Sequence, residues 1–80
     1  MIEVEVRLYA NLRKYAPQIK LGEAMKLDVN EGATLRQLYI RLKIPLEEVK
    51  RAIVNGIIRD HEYSLSDGDR VAIFPPIAGG

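Results

Sequence analysis

The amino-acid sequence predicts an α+β fold in which a mixed sheet of about five strands carries one main helix across one face. Short segments with alternating apolar and polar residues, the pattern of half-buried strands, occur in both halves of the chain. One segment between them has apolar residues at helical spacing. A chain of 80 residues has room for a single hydrophobic core, so these elements belong to one domain.

The first third of the chain predicts two strands with a short helix between them. Residues 2–9 alternate apolar and polar side chains, so one face of this strand is buried. Residues 10–16 predict a short helix that ends before Pro17, because proline disfavours helical geometry in the residue before it. Alternation returns at residues 25–29, which we expect to form a strand antiparallel to the first.

The middle of the chain predicts the main helix. Thr34 and Gln37 match a capping box, in which each side chain accepts a hydrogen bond from the backbone of the other residue. Pro45 bounds this helix, and residues 46–50 can add one further turn. Apolar side chains form one stripe that can lie on a sheet: Leu35, Leu38, Tyr39 and Leu42.

The last third of the chain predicts three more strands. Residues 51–54 form the first, and Asn55-Gly56 fits a type I′ hairpin turn because both residues tolerate positive φ. A short strand begins at residue 57, and residues 70–74 form the last strand. Sequential hairpins and a right-handed crossover place the last strand beside the first and parallel to it. This order of elements is the β-grasp arrangement of ubiquitin-like proteins.

The composition excludes several classes of function. Twelve Lys and Arg residues nearly balance eleven Asp and Glu residues, which argues against nucleic-acid binding through a strongly basic surface. The chain has no cysteine and one histidine, so we expect no disulfide, cysteine nucleophile or metal site. No apolar run reaches the length of a membrane span and no signal-peptide pattern is present, so we expect a cytoplasmic protein that does not bind a membrane.

The end of the chain carries the strongest functional signal. A chance Gly-Gly at a named place has odds of roughly 1 in 200, and glycine lets a backbone pass a narrow channel. Pro75 and Pro76 favour an extended, semi-rigid stem. We therefore divide the chain into a domain at residues 1–74 and a flexible tail at residues 75–80, which reaches at most about 20 Å. Such a tail can deliver its carboxylate into another protein's active site; the alternative is an idle, frayed end.

Phe74 stands at the root of this tail. If Val71 and Ile73 face the core, Arg70, Ala72 and Phe74 face the open side of the sheet. Phe74 is then either an exposed docking anchor or part of a small satellite core, and the sequence favours neither.

The other polar residues favour structural roles. Asp67-Gly68-Asp69 lacks the spaced oxygen ligands of a calcium loop, so we interpret it as a turn. We expect His61 to be an exposed loop residue and Glu47-Glu48 to be a solvated helical face. Five basic residues form either a solvated surface, which we favour, or a patch for a partner: Arg13, Lys14, Arg36, Arg41 and Lys43.

The sequence resembles the MoaD/ThiS family of sulfur carriers over nearly its whole length. The match is most specific in residues 52–56 (AIVNG), residues 65–76 (LSDGDRVAIFPP) and the final Gly79-Gly80. Phenylalanine and a double proline before the glycines resemble the molybdopterin branch, MoaD, more than the thiamine branch. Residues 9–13 (YANLR) give a weaker match, at a place where an arginine is common in the family.

The resemblance implies a carrier that partners act on, since a carboxylate is a poor electrophile until it is activated. A MoeB-like E1 enzyme would use ATP to adenylate the Gly80 carboxylate, and sulfur from a persulfide donor would displace AMP to leave a thiocarboxylate. A MoaE-like large subunit would receive the tail in a heterotetramer of two small and two large subunits. There the sulfur would pass to cyclic pyranopterin monophosphate. The chain itself would hold no permanent cofactor and would not be a catalyst alone.

The predicted site follows from this cycle. Gly80 carries the reacting group, and four residues thread the tail: Pro75, Pro76, Gly79 and Gly80. We predict that Phe74, Ile77 and Arg13 contact the partner. Three alternatives stay open: a carrier for the thiazole or tungsten-cofactor pathway, a ubiquitin-like modifier that forms isopeptide bonds, and a β-grasp interaction module with an idle tail.

Overall fold

The computed structural model describes residues 1–19 and 23–76, and every structural statement below refers to them. Five strands, one α-helix and two 3₁₀-helices follow one another along the chain. The strands are β1 (Ile2–Leu8), β2 (Met25–Val29), β3 (Arg51–Val54), β4 (Ile57–Arg59) and β5 (Arg70–Phe74). The helix is α1 (Leu35–Leu42), and the 3₁₀-helices are Ala10–Tyr15 and Leu46–Glu48.

The strands form one mixed sheet in the order β2-β1-β5-β3-β4. Strand β5 runs parallel to β1, and the other neighbouring pairs are antiparallel. The β3–β4 hairpin turns at Asn55 and Gly56, whose φ angles of 53° and 84° are those a type I′ turn requires. The predicted strands, their pairing and the α+β class are confirmed.

The capping box at the start of α1 is confirmed. The Thr34 Oγ1 accepts a hydrogen bond from the Gln37 backbone N–H at 3.3 Å, and the Gln37 Oε1 accepts one from the Thr34 N–H at 2.8 Å. The helix ends at Lys43, which takes a left-handed conformation with φ of 62°, two residues before Pro45. Its start and end therefore follow from local chemistry.

The core lies between α1 and one face of the sheet, here called the inner face. Leu35, Leu38 and Tyr39 of the helix are fully buried. They belong to one cluster with the inward residues of the four long strands: Val4, Val6, Met25, Val29, Ala52, Val54, Val71 and Ile73. The predicted apolar stripe is thus the stripe that packs, with Leu42 half-buried at its end.

The loop after β4 completes the start of α1. The Leu35 N–H donates to the Tyr63 carbonyl at 3.1 Å, and the Arg36 N–H donates to the His61 carbonyl at 2.8 Å. Backbone donors in the first helical turn have no partner within the helix, so this loop supplies acceptors that they need. The Arg36 side chain also pairs with Glu62, with 2.7 Å between Nε and Oε2.

Two expectations about polar residues hold only in part: His61 lies in a loop and Glu47 is exposed, but His61 and Glu48 make contacts that were not expected. His61 is half-buried rather than exposed, because its ring packs edge-on against Tyr39 with centroids 5.5 Å apart. Glu48 is not simply solvated: it accepts a hydrogen bond from the Tyr15 hydroxyl at 2.9 Å and pairs with Lys14 at 3.5 Å. In both cases the partner is distant in sequence, so no local pattern signals it.

Three of the five basic residues noted in the sequence contact acceptors within the chain. Lys14 pairs with Glu48, Arg36 pairs with Glu62, and the Arg41 Nη1 donates to the Asp28 carbonyl at 2.8 Å. This favours the structural interpretation of these side chains over a single basic patch. Within residues 1–19 and 23–76, no helix is long and apolar enough to cross a membrane.

Candidate functional site

The end of β5 is held in place on both of its sides. The Tyr9 N–H donates to the Ile73 carbonyl at 3.2 Å on the β1 side. On the β3 side Phe74 lies in register with Arg51, and its carbonyl accepts a hydrogen bond from the Lys50 N–H at 2.8 Å. The direction in which the chain leaves the sheet is therefore set by hydrogen bonds up to Phe74.

Pro75 ends the sheet because a proline has no N–H to donate to a neighbouring strand. It is half-buried, and Pro76 is exposed. Two successive prolines keep the chain extended as it leaves a fixed point. Ile77, Gly79 and Gly80 lie outside the described residues, so their predicted roles, and the division at residue 74, stay predictions.

Phe74 lies on the face of the sheet opposite α1, here called the outer face. It is half-buried, and its ring stacks on Tyr9 with centroids 4.6 Å apart and planes 8° from parallel. Tyr9 itself is 37% exposed. Phe74 is thus outside the main core but is partly covered by one aromatic neighbour, a combination of the two interpretations that the sequence left open.

Tyr9 is the site residue that sequence reasoning missed. The alternation of β1 placed it on the polar face, which gave no sign of an aromatic partner. It lies next to Phe74 only because β5 returns parallel to β1 with Leu8 opposite Ile73. One signal was available: two strands predicted to be neighbours each have an aromatic residue at the same end and on the same face.

The outer face combines apolar side chains with arginines near the tail. The strand registers place Arg7, Ala72, Ile53 and Ile58 in one row across four strands. The next row toward the tail contains Tyr9, Phe74 and Arg51. Ile58 is 61% exposed, and Arg51 is exposed. An apolar centre bordered by cations is a typical composition for a protein-binding surface.

Arg13 lies on the same side of the molecule as Tyr9. It is exposed within the 3₁₀-helix, whose Leu12 N–H donates to the Tyr9 carbonyl at 3.1 Å. Ala10, between them in sequence, has φ of 53°, a left-handed conformation that is uncommon for alanine. Arg13 also lines a cavity of about 90 Å³ together with Tyr9 and Ala10. Its contact with a partner stays a prediction.

The acidic turn before β5 serves the fold. Asp69 is 5% exposed, and its two carboxylate oxygens accept hydrogen bonds from the Asn55 side chain at 2.9 Å and the Ser66 N–H at 2.8 Å. Asp67 accepts one from the Glu3 N–H at 2.8 Å. In the described part of the chain, no group of three His, Cys, Asp or Glu residues could hold a metal ion. The turn therefore ties β5 to β1 and to the β3–β4 hairpin.

The sequence profile of the ThiS family matches residues 6–80. The chain belongs to the ThiS family. This assignment covers the whole sheet except the first residues of β1, and it includes the tail. A comparison with curated proteins gave no match.

Solved structures give the same assignment at the level of the fold. Molybdopterin converting factor subunit 1 of Pyrococcus furiosus is 25% identical with a TM-score of 0.73, over 96% of this chain and 100% of that one. Small archaeal modifier protein 1 of Haloferax volcanii is 20% identical with a TM-score of 0.75, over 96% and 100%. A complex of subunits 1 and 2 of molybdopterin-converting factor from Helicobacter pylori gives 24% identity and a TM-score of 0.62, over 99% and 100%.

The β-grasp fold and the resemblance to the MoaD/ThiS family are confirmed. The chain is a ubiquitin-fold protein of the class that comprises sulfur carriers and small modifiers.

Proposed function

We propose that this chain is the sulfur carrier and small subunit of molybdopterin synthase. The observation that carries the proposal is the geometry at the end of β5: hydrogen bonds hold the strand up to Phe74, and two prolines follow it in the sequence before Gly79-Gly80. Similarity to a molybdopterin converting factor subunit 1 across 96% of the chain supports the choice of pathway.

The proposed chemistry takes place at the Gly80 carboxylate. A carboxylate oxygen attacks the α-phosphorus of ATP on a MoeB-like enzyme, and pyrophosphate leaves. The terminal sulfur of a persulfide then attacks the acyl carbon, and AMP leaves. A thiolate then attacks the donor's sulfur in the remaining sulfur–sulfur bond, forms a new disulfide with the donor, and releases the thiocarboxylate. ATP and the persulfide belong to the partners, so the chain needs no resident cofactor.

The described residues contribute position rather than chemistry. Docking through the outer face holds the carrier on its partner, and the proline stem then confines the reacting end to a small volume. Confinement of this kind raises the effective concentration of the thiocarboxylate at the acceptor. Glycines at the end of the tail allow close passage through an enclosed channel because they lack a Cβ.

The proposed acceptor complex is a heterotetramer with a MoaE-like large subunit, in which cyclic pyranopterin monophosphate receives the sulfur. The Helicobacter pylori relative, solved as a complex of subunits 1 and 2, supports a large-subunit partner. Because activation consumes ATP, the proposal also places the chain in the cytoplasm.

The test is the mass of the C-terminal peptide after incubation with ATP, the MoeB-like enzyme and a persulfide donor. Exchange of oxygen for sulfur adds about 16 Da, nominally the same as sulfoxide formation at Met1 or Met25. Fragmentation must therefore localise the change to Gly80. Sulfur at Gly80 is expected; a tail left unchanged by an enzyme that is active on its own carrier would overturn the proposal.

A small protein modifier is the second candidate, favoured by the TM-score of 0.75 with small archaeal modifier protein 1. Both functions begin with adenylation, so the product distinguishes them. Gly80 linked to lysine side chains of cellular proteins, with no thiocarboxylate, would support the modifier. Transfer of sulfur to a thiazole precursor or into a tungsten cofactor would keep the carrier and change only its pathway.

A further inference from the structure

The outer face contains a shallow depression of about 210 Å³ beside the row that leads to the tail. We call it the Ala72 socket; its main lining residues are Arg7, Tyr9, Ile53, Arg70 and Ala72. It lies two residues before Phe74 on the same face of β5. It therefore belongs to the surface that a tail-receiving protein would cover.

The socket exists because the residue at its floor is small. Ala72 lies in register between Arg7 on β1 and Ile53 on β3, so a methyl group is flanked by two long side chains. A larger residue at 72 would fill the space between these side chains without entering the core, which lies on the other face. The small residue at the floor leaves room for a side chain from outside.

Most charged side chains near the socket are positive, with Arg70 on the side away from the tail and Arg51 on the side toward it. Arg70 and Arg51 are exposed, and Arg7 forms one wall. Among the described residues that the strand pairing places in the two outer-face rows nearest the tail, none is Asp or Glu. One carboxylate, Glu5, lies opposite Arg70. The other acidic residues of β1 and β2, Glu3 and Asp28, lie opposite each other in the strand register, at the end of the two strands that is farther from the socket. The field at the socket thus favours an anion.

The walls of the socket also favour a ligand whose anionic group is carried on an apolar stem of methylene groups. Ile53 is half-buried, Tyr9 is 37% exposed, and both line the socket, so both can offer apolar surface. An aspartate or glutamate side chain combines methylene groups with a carboxylate that can pair with a guanidinium in two parallel hydrogen bonds. Neither a phosphate nor a lysine satisfies both requirements.

We propose that the Ala72 socket receives a carboxylate side chain of the adenylating enzyme, with its stem against Ile53 and its carboxylate on Arg70. The inference rests on the proposed function only in its first step, adenylation of the tail, which the carrier and the modifier share. It assigns Arg70 and Ala72 to recognition, although neither was predicted from the sequence to contact a partner.

The first experiment measures the affinity of the full chain for the MoeB-like enzyme by calorimetry. Arg70→Glu is compared with Lys43→Glu, which makes the same change of charge at the end of α1, away from the outer face. We expect Arg70→Glu to weaken binding by at least about tenfold and to reduce its dependence on salt. Lys43→Glu is expected to change affinity by less than about twofold.

The second variant, Ala72→Leu, fills the socket without changing the charge. We expect it to weaken binding by about tenfold while the thermal unfolding midpoint stays near that of the wild type, because residue 72 lies outside the core. Arg70→Lys keeps the charge but loses the paired hydrogen-bond geometry, so its affinity should lie between those of the wild type and Arg70→Glu.

The outcomes separate this inference from the proposed function. Wild-type affinity in both Arg70→Glu and Ala72→Leu would overturn the proposed role of the socket while leaving the proposed adenylation of the tail intact. An equal loss in Lys43→Glu would also overturn it, because the effect would then be one of net charge. A wild-type chain that a competent enzyme neither binds nor adenylates would overturn the proposed function and the socket together.

A chemical probe then identifies the occupant. The chain has no cysteine, so Ile58→Cys, in the same outer-face row as Ala72 but outside the socket, provides a single thiol for a benzophenone maleimide. Photolysis in the complex should attach the probe next to an aspartate or glutamate of the enzyme, as mass spectrometry would show. Attachment to a segment that lacks acidic residues would contradict the inference.

Discussion

The five residues of strand β5 alternate between the inner and the outer face of the sheet, and the two sets differ in burial. Val71 and Ile73 point to the inner face and are 2% and 0% exposed. Arg70, Ala72 and Phe74 point to the outer face, where the first is exposed and the other two are half-buried. Because side chains of a strand alternate between faces, one short segment packs the core on one side and leaves its other side available for a partner.

This difference makes the two faces separable by mutation. A change on the inner face removes contacts from the core and should reduce the free energy of unfolding. A change on the outer face should reduce affinity for a partner while the fold persists. Pro75 and Pro76, the described residues of the tail, take no part in the core cluster.

The largest effect is expected from deletion of Gly80. The acyl group that is activated would then belong to Gly79, one residue short of its position, and sulfur transfer should be lost completely. The unfolding midpoint should stay unchanged. Mass spectrometry of the tail and circular dichroism measure the two properties on the same sample. A truncated chain that still supports cofactor synthesis would break the assignment of chemistry to the tail.

Ile73→Ala tests the inner face of β5. It removes a fully buried side chain, so we expect the free energy of unfolding to fall by about 2–5 kcal/mol in chemical denaturation. Ala72→Ser, its neighbour on the outer face, is the matched control and should change it by less than about 0.5 kcal/mol. Similar losses in both variants would mean that the faces are not distinct.

Tyr39 gives the core a dependence on pH. Burial raises the pKa of Tyr39 from 10.0 to about 12, although the nearby Arg36 acts in the opposite direction. The folded chain therefore holds the phenol proton more tightly than the unfolded chain. Its contribution to stability is intact below pH 10 and is lost as the pH rises toward 12.

Denaturation at a series of pH values measures this contribution. We expect the wild type to lose about 1–3 kcal/mol more than Tyr39→Phe between the two pKa values. The comparison isolates Tyr39 because the other tyrosines are present in both proteins. Parallel pH curves for the two proteins would show that the Tyr39 hydroxyl does not titrate differently in the folded state.

A small effect on folding is expected on the outer face, at Phe74. Phe74→Asp should weaken binding to the large subunit by at least about tenfold, as loss of an aromatic anchor does. Stability should fall by little more than the stacking energy with Tyr9, about 0.5–1.5 kcal/mol in a double-mutant cycle with Tyr9→Ala. A molten or insoluble variant would instead place Phe74 in the core.

Much of the fold could be predicted because its signals are local. The alternation of β1, β2 and β5, the capping box at Thr34 and the Asn55-Gly56 turn each depend on residues within a few positions of one another. Each of these patterns favours the same local structure wherever it occurs, because it depends only on solvent exposure and backbone geometry. The sheet order then followed from connection rules, which restrict a chain of this length to few topologies.

The contacts that sequence reasoning missed join residues that are far apart in the chain. Tyr15 and Glu48 are 33 positions apart, Asn55 and Asp69 are 14, and Glu3 and Asp67 are 64. Each pair forms only after two elements have docked in a definite register. A single sequence records that both partners are polar, but it does not record that they meet.

The sequence by itself determined the strands and the helix with its limits, and it predicted the role of the tail. The tertiary structure decided which side chains surround the point where the tail leaves. The stack of Tyr9 on Phe74 and the depression over Ala72 exist because β5 lies between β1 and β3 in one register. Periodicity assigns a residue to a face, but only the pairing of strands selects its neighbours on that face.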